Sequence, residues 1–212
     1  MTTMMMRPHA TSAEAPLGFD PPPMHRRAPV HAEAIDCETT PVVWLMGAHG
    51  GAGVTTLCRR LGFAGDCHRA FPGGHAGQSP FVVIVATETE TGLSAAHDRL
   101  VQHRAGAAGP SVCLGLVTRP AAPGWDRKPP AAIRRKLDLV TGAAAASWRI
   151  GWDDECLLQP LNCLASVTPA LMAQWRITDQ SRRRRGDGLD GVGADVLDLA
   201  SDLIADIGRH SN

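Results

Sequence analysis

The sequence lacks tyrosine and has almost no lysine. Among its 212 residues are 21 basic and 21 acidic side chains, so the formal net charge is zero. Only Lys128 and Lys136 are lysines. A balanced charge removes the simplest argument for binding to nucleic acid or to an anionic membrane. No apolar run approaches the ~20 residues that span a bilayer, so we expect no membrane span.

The chain also lacks an N-terminal apolar stretch ahead of a cleavage site, which predicts a cytoplasmic protein without a signal peptide. Residues 1–40 are rich in Met, Pro, His and Ala and show no periodicity, which predicts a disordered tail. Residues 41–178 carry the ordered domain. A basic linker over 179–188 includes Arg182–Arg185, and a C-terminal helix is predicted over 189–208.

Short apolar runs alternate with amphipathic segments in the ordered domain. Strands are predicted at 42–47, 81–86, 112–118 and 147–152, because continuous apolar runs are typical of strands buried on both faces. Helices are predicted from residue 53 or 54, over 93–104, around 133–140 and around 169–175, and residues 64–80 are predicted to be a loop. This alternation predicts an α/β fold, a small three-layer sandwich with a mostly parallel sheet.

The C-terminal segment has apolar residues every three or four positions and aspartates on another face. This pattern predicts an amphipathic helix that ends at Gly208. Its apolar face is expected to pack against the sheet; the alternative is a contact between two copies in a homodimer.

The strongest local signal is the sequence AHGGAGVTT between the first strand and the first helix. Glycines at such a turn let successive backbone N–H groups converge on one anion, and the free N–H groups of the following helix favour negative charge. Gly50, Gly51 and Gly53 meet this requirement. A hydroxyl at the helix start, here Thr55, suits a magnesium ion.

This segment resembles the deviant Walker A loop of the ParA/MinD group of P-loop ATPases, G-K-G-G-x-G-K-T-T. Ala48 stands at the first glycine, His49 at the signature lysine and Val54 at the central lysine. The resemblance implies a site for ATP or ADP with Mg²⁺ in which Thr55 is the metal ligand. The implied site residues are His49, Gly50, Gly51, Ala52, Gly53, Val54, Thr55 and Thr56.

Further segments resemble the same family over roughly residues 42–158. LGLVTR is similar to the strand whose end helps to hold adenine, with Thr118 in place of the usual asparagine. WRIGWDDECLL resembles the I-P-x-D segment, with Ile150–Asp153 in its place. The loop is also similar to the GGAGV(T/S)T loop of small ParA-like proteins of high-GC bacteria. The family often dimerises across the nucleotide through the signature lysine, where this chain has His49.

The missing lysines decide the expected activity. A lysine in the loop neutralises phosphate charge, and electrostatic stabilisation carries most of the catalysis in phosphoryl transfer. The short segment before Phe81 also leaves Asp66 as its only carboxylate, either a remnant of the family's magnesium-binding aspartate or a solvated loop residue. The sequence therefore predicts a P-loop protein that binds ATP or ADP weakly, with little or no hydrolysis.

Two other functions stay open at this point. One is a pseudo-ATPase adaptor or scaffold that recognises a protein partner and binds no nucleotide, in which Val54 helps to close an empty loop. The other is association with DNA through Arg182–Arg185. Glu88 and Glu90, after the second predicted strand, are candidates for a metal or acid–base pair, with an exposed turn as the alternative.

Overall fold

The computed structural model describes residues 20–178 and 187–210. Its centre is an all-parallel, five-stranded sheet with the strand order β2-β1-β3-β4-β5. The strands are β1 (Val43–Gly47), β2 (Ala64–Asp66), β3 (Phe81–Thr87), β4 (Val112–Arg119) and β5 (Ser147–Arg149).

Helices cover both faces of this sheet. They are α1 (Val54–Leu61), α2 (Glu90–Arg104), α3 (Ala131–Ala143), α4 (Glu155–Leu158), α5 (Pro169–Ile177) and α6 (Ala194–His210). Alternate strand residues supply the two cores. Val43 and Leu45 of β1 pack in a cluster with residues of α1, α5 and α6, whereas Trp44 and Met46 pack in a second cluster with residues of α2 and α3. The predicted three-layer α/β sandwich is confirmed, and the architecture is consistent with that of P-loop NTPases.

The predicted loop over 64–80 is wrong at its first three residues. Ala64–Asp66 form β2, which pairs in parallel with β1 at the edge of the sheet. This strand is half-buried and has no apolar run, so its sequence carries no strand signal. β5 is shorter than predicted, since it ends at Arg149 and Ile150 lies outside it. The Ile150 N–H still donates to Thr118 O of β4 at 2.9 Å.

The prediction of a disordered tail over 1–40 is wrong for residues 20–40; residues 1–19 lie outside the described part of the chain. Ala28 and Ile35 are buried in the cluster under α2. The Gln102 side chain donates to Ala28 O and accepts from Ala28 N, both at 2.8 Å. Arg26 forms a two-pronged ion pair with Asp98. Composition missed this order because side chains of α2 hold the segment.

The C-terminal helix begins and ends later than predicted. Residues 189–192 form a tight turn closed by two backbone hydrogen bonds between Leu189 and Val192, and α6 runs from Ala194 to His210, with Gly208 inside it. Its apolar face is buried against the sheet, as the first alternative predicted. Of the predicted linker, the structure describes only residues 187 and 188, and Arg182–Arg185 lie outside the described residues. Within the described ranges, no helix has the length and apolarity needed to cross a membrane.

Candidate functional site

The glycine loop connects the carboxyl end of β1 to α1. Gly51 and Gly53 have positive φ angles of 77° and 88°, a left-handed conformation that glycine adopts without strain. In the described part of the chain, no acceptor bonds the backbone N–H groups of Gly50, Gly51 or Gly53, nor those of Val54–Thr56. The loop therefore presents a group of free N–H donors at the start of a helix, which is the arrangement that binds anions.

His49 braces the loop rather than offering a charge. Its Nε2 accepts a hydrogen bond from Thr87 N at 3.0 Å, while Nδ1 lies 2.8 Å from Gly50 O. An N–H donor on one side and a carbonyl acceptor on the other require the neutral tautomer with its proton on Nδ1. In this conformation, His49 does not supply the positive charge of the lysine it replaces.

Val54 points into the protein. Its side chain is 8% exposed and belongs to the core on the α1 side of the sheet. A Cβ added at Gly47 would lie 3.2 Å from Val54 Cγ2, so the valine packs directly beneath the loop. Ala52 is also buried there. Val54 and Ala52, the apolar members of the predicted site, thus pack beneath the loop.

A cleft of about 490 Å³ opens on the outer side of the loop. Thr55 and Thr56 line it together with Asp66, His68 and Arg69. Asp66 ends β2 beside the loop strand, and its Oδ1 accepts from His68 N at 2.8 Å. The structure therefore places the only carboxylate of this segment in the same cleft as the predicted magnesium ligand Thr55.

His68 and Arg69 hold an unusual backbone conformation. Their φ angles are 52° and 62°, in the left-handed region that non-glycine residues rarely occupy. Hydrogen bonds from residues 29–31 fix the following turn: Phe71 N donates to Pro29 O, and His31 N donates to Phe71 O, each at 2.9 Å. These bonds from the N-terminal segment hold the turn after Arg69, which lines the cleft.

Arg119 is the functional candidate that sequence reasoning missed. It ends β4, and a Cβ added at Gly53 would overlap its Nη1 atom, so the guanidinium lies against the loop. The expected residue, Thr118, is 1% exposed and lines none of the clefts described in this section. The sequence did contain one signal for it: Arg119 directly follows the strand predicted over 112–118, and ligands of parallel sheets bind at the carboxyl ends of the strands.

A narrow cavity leads from the loop to a larger cleft. Gly53, Thr56 and Arg119 line the cavity on one side, and Gly151 and Asp153 line it on the other. The larger cleft, of about 600 Å³, shares these last two residues. Its remaining lining comes from Arg60, Ile150, most of residues 152–155 and most of residues 188–196. The segment similar to I-P-x-D thus lies beside the loop.

Buried ion pairs fix the surroundings of this larger cleft. Arg60, only 3% exposed, donates to Asp153 Oδ2 at 2.6 Å and to Glu155 Oε2 at 3.0 Å. Burial alone would raise the pKa of Asp153, but hydrogen bonds from Cys156 and Arg60 lower the pKa below its ordinary value. Asp153 is therefore held ionised as a structural partner of α1.

Glu88 and Glu90 do not form a joint site. Glu88 is fully buried and pairs with Arg149 through two hydrogen bonds of 2.6 Å, whereas Glu90 is exposed and pairs with Lys136. Arg149 also donates to Trp125 O at 2.7 Å and to Asp126 O, so the Glu88 pair anchors the loop after β4. No cluster of three potential metal-binding His, Cys, Asp or Glu side chains occurs among residues 20–178 and 187–210.

No protein-family model, curated protein or solved structure matches the chain.

Proposed function

We propose that the chain binds ATP or ADP, with Mg²⁺, through the glycine loop and hydrolyses ATP slowly or not at all. The supporting observation is the group of free backbone N–H donors at Gly50, Gly51, Gly53 and Val54–Thr56. Leaving such donors without an acceptor costs free energy unless water or a ligand bonds them, and a phosphate bonds several at once. Backbone donors need no lysine to do this.

Hard oxygen ligands for magnesium are available beside these donors. Thr55 is exposed at the start of α1, and the Asp66 carboxylate lines the same cleft. A P-loop magnesium ion is held by a hydroxyl of the loop and by an aspartate from a nearby strand, so the pair fits this role. When bound, the ion would neutralise part of the phosphate charge.

Slow or absent hydrolysis is expected because the loop itself carries no lysine to stabilise the charge of the transition state. Val54 is apolar and buried, and Nε2 of His49 accepts a hydrogen bond from Thr87 N instead of facing the loop as a donor. Lys136 pairs with Glu90 on α2. Without a lysine in the loop, the electrostatic contribution that dominates phosphoryl transfer is reduced.

The nucleoside has room in the cleft of about 600 Å³ next to Gly151 and Asp153. That volume lies within the ~300–1,000 Å³ range of ligand pockets. The lining is acidic, with Asp153, Asp154, Asp190 and Asp195 among its residues. Carboxylates suit hydroxyl and amino groups of a nucleoside and repel phosphates, so the phosphates would extend toward the loop.

A titration with a fluorescent ATP analogue tests the proposal. Gly50→Asp places a carboxylate on the loop where an added Cβ meets no atom within 4 Å, and Gly142→Asp adds the same charge at an equally open position on α3. We expect saturable binding to the wild type and to Gly142→Asp. Gly50→Asp should weaken binding by at least about tenfold through charge repulsion. Absence of saturable binding to the wild type at millimolar analogue overturns the proposal.

The same titration with and without Mg²⁺ tests the metal site. We expect Mg²⁺ to strengthen binding of the ATP analogue to the wild type. Thr55→Ala should remove most of this effect and leave metal-free binding unchanged, because only the hydroxyl is lost. Equal responses of Thr55→Ala and wild type to Mg²⁺ would rule out Thr55 as a ligand.

The packing of Val54 favours a second candidate, an adaptor without nucleotide. Its side chain fills the space beneath the loop and contributes to the core. The glycine turn would then serve to join β1 to α1. Failure of the wild type to bind nucleotide, together with unfolding of a Val54→Lys variant, would favour this function; its partner would be sought by affinity capture.

A further inference from the structure

We infer that Arg119 neutralises the phosphates of the ligand, in place of the lysines that the loop lacks. The inference rests on the proposed function, since it concerns the same loop. The guanidinium of Arg119 lies against Gly53, beside the free N–H donors of the loop. It also lines the narrow cavity together with Thr56.

The backbone of Arg119 is fixed at this place. As the last residue of β4 it pairs with Thr87 of β3, and its carbonyl accepts from Glu88 N at 2.8 Å. The side chain leaves the sheet at the carboxyl end of a central strand. Because the backbone of Arg119 is fixed at the end of β4, its long side chain reaches the loop directly from the sheet.

Its guanidinium differs from those of Arg60 and Arg149 in having no bonded acceptor among the described residues. Arg60 and Arg149 each bond carboxylate groups and backbone carbonyls. In contrast, no acceptor in the described part of the chain bonds the side chain of Arg119, although this residue is half-buried. A half-buried guanidinium with free donors is suited to a bidentate bond with an anion.

The loop and Arg119 together indicate the class of ligand. Loops of this type cradle the first two phosphates with backbone N–H groups, whereas their lysine reaches the second and third. Here the backbone donors are present and the lysine is absent, and the guanidinium stands at Gly53. The ligand is therefore expected to carry a pyrophosphate group, which the backbone donors and the guanidinium bind together.

Fluorescent ADP and ATP analogues, with inorganic pyrophosphate as competitor, test this inference on the full chain. Arg119→Gln removes the charge, and Arg119→Met keeps the stem that packs over Gly53 while also removing the charge. Arg135→Gln is the matched control, because it removes the same charge from an exposed position on α3. Thermal unfolding without ligand identifies any variant that fails to fold.

We expect the two charge-free Arg119 variants to bind the ADP analogue about tenfold or more weakly than the wild type, as for a lost hydrogen bond to a charged group. Arg135→Gln should bind within about twofold of the wild type. Pyrophosphate should displace the analogue from the wild type. Wild-type affinity in a folded Arg119 variant overturns the role of Arg119 and leaves the proposed function intact. Failure of pyrophosphate to displace the analogue overturns the ligand class, and no binding to the wild type overturns the proposed function itself.

Discussion

At the scale of single residues, Arg60 joins parts of the chain that are distant in sequence. It lies on α1, and it bonds Asp153, Glu155, Ala165 O and Gly191 O. Asp153, Glu155 and Gly191 also line the larger cleft. A charged group buried to this extent is stable only when its partners are present, so the cleft wall and α1 depend on each other.

Replacing Asp153 should reveal this dependence through pH. Asp153→Asn should lower the free energy of unfolding at pH 7 by about 1.5–3 kcal/mol, the value of a hydrogen bond to a charged group. Because the pKa of folded Asp153 lies below its ordinary value, its stabilisation is complete above about pH 4 and is lost as the pH falls through the folded-state pKa. Urea unfolding at pH 7 and at steps below pH 4 measures the difference.

The difference in the free energy of unfolding between Asp153→Asn and the wild type should shrink as the pH falls. Asp154→Asn is the control, since this exposed neighbour contacts Trp152 through an oxygen that asparagine retains. A difference that stays constant over the whole pH range would mean that the charge of Asp153 contributes nothing to stability.

At the scale of elements, the segment from residue 20 to residue 35 acts as a strap across α2. It has one short 3₁₀ turn, Met24–Arg26, and is otherwise held by side chains such as Asp98 and Gln102. Ala28 and Ile35 anchor it in the core under α2. Because the segment has little secondary structure of its own, it opens more readily than a helix or a strand once these contacts are lost.

Gln102→Ala should release this strap. The substitution removes both bonds to Ala28, and we expect about 1–3 kcal/mol of lost stability together with faster tryptic cleavage after Arg26 and Arg27. Limited proteolysis followed by mass spectrometry measures the cleavage. The exposed Arg135→Gln variant serves as the control, and an unchanged cleavage rate in Gln102→Ala would argue against the strap's dependence on this side chain.

Periodicity in the sequence predicted the central elements well and the peripheral ones poorly. The runs VVWLMG and FVVIVA indicated β1 and β3 because both faces of those strands are buried. β2 gave no signal, since three half-buried residues depend on pairing with β1. Likewise, the loop glycines of the site were evident locally, but the proximity of Arg119 to Gly53 exists only after β3 and β4 pair.

At the scale of the whole molecule, all six cysteines are free thiols, and five of them divide into an exposed and a protected group. Cys37 and Cys163 are exposed. Burial raises the pKa of Cys58 to about 12 and that of Cys113 to about 11, and it also raises the pKa of Cys67. Since the thiolate is the reactive form, these three are expected to be inert in the folded protein.

Labelling with a disulfide reagent at pH 8 tests this division. Cys37 and Cys163 should react rapidly in the native protein, and Cys58, Cys67 and Cys113 only after denaturant unfolds both cores. Mass spectrometry of labelled peptides identifies each site, and the fully denatured protein provides the reference. Rapid native labelling of Cys67 would show that the core beneath α2 opens readily.

The position of α6 has a consequence for synthesis of the protein. Leu197, Leu199 and Leu203 of this helix complete the core that also contains Val43 and Leu45 of β1. Until residues 194–210 have left the ribosome, that face of the sheet has no cover from α6 and exposes apolar surface to the cell. Nascent chains of this protein should therefore depend on chaperones until translation passes α6, even though all five strands have been synthesised by then.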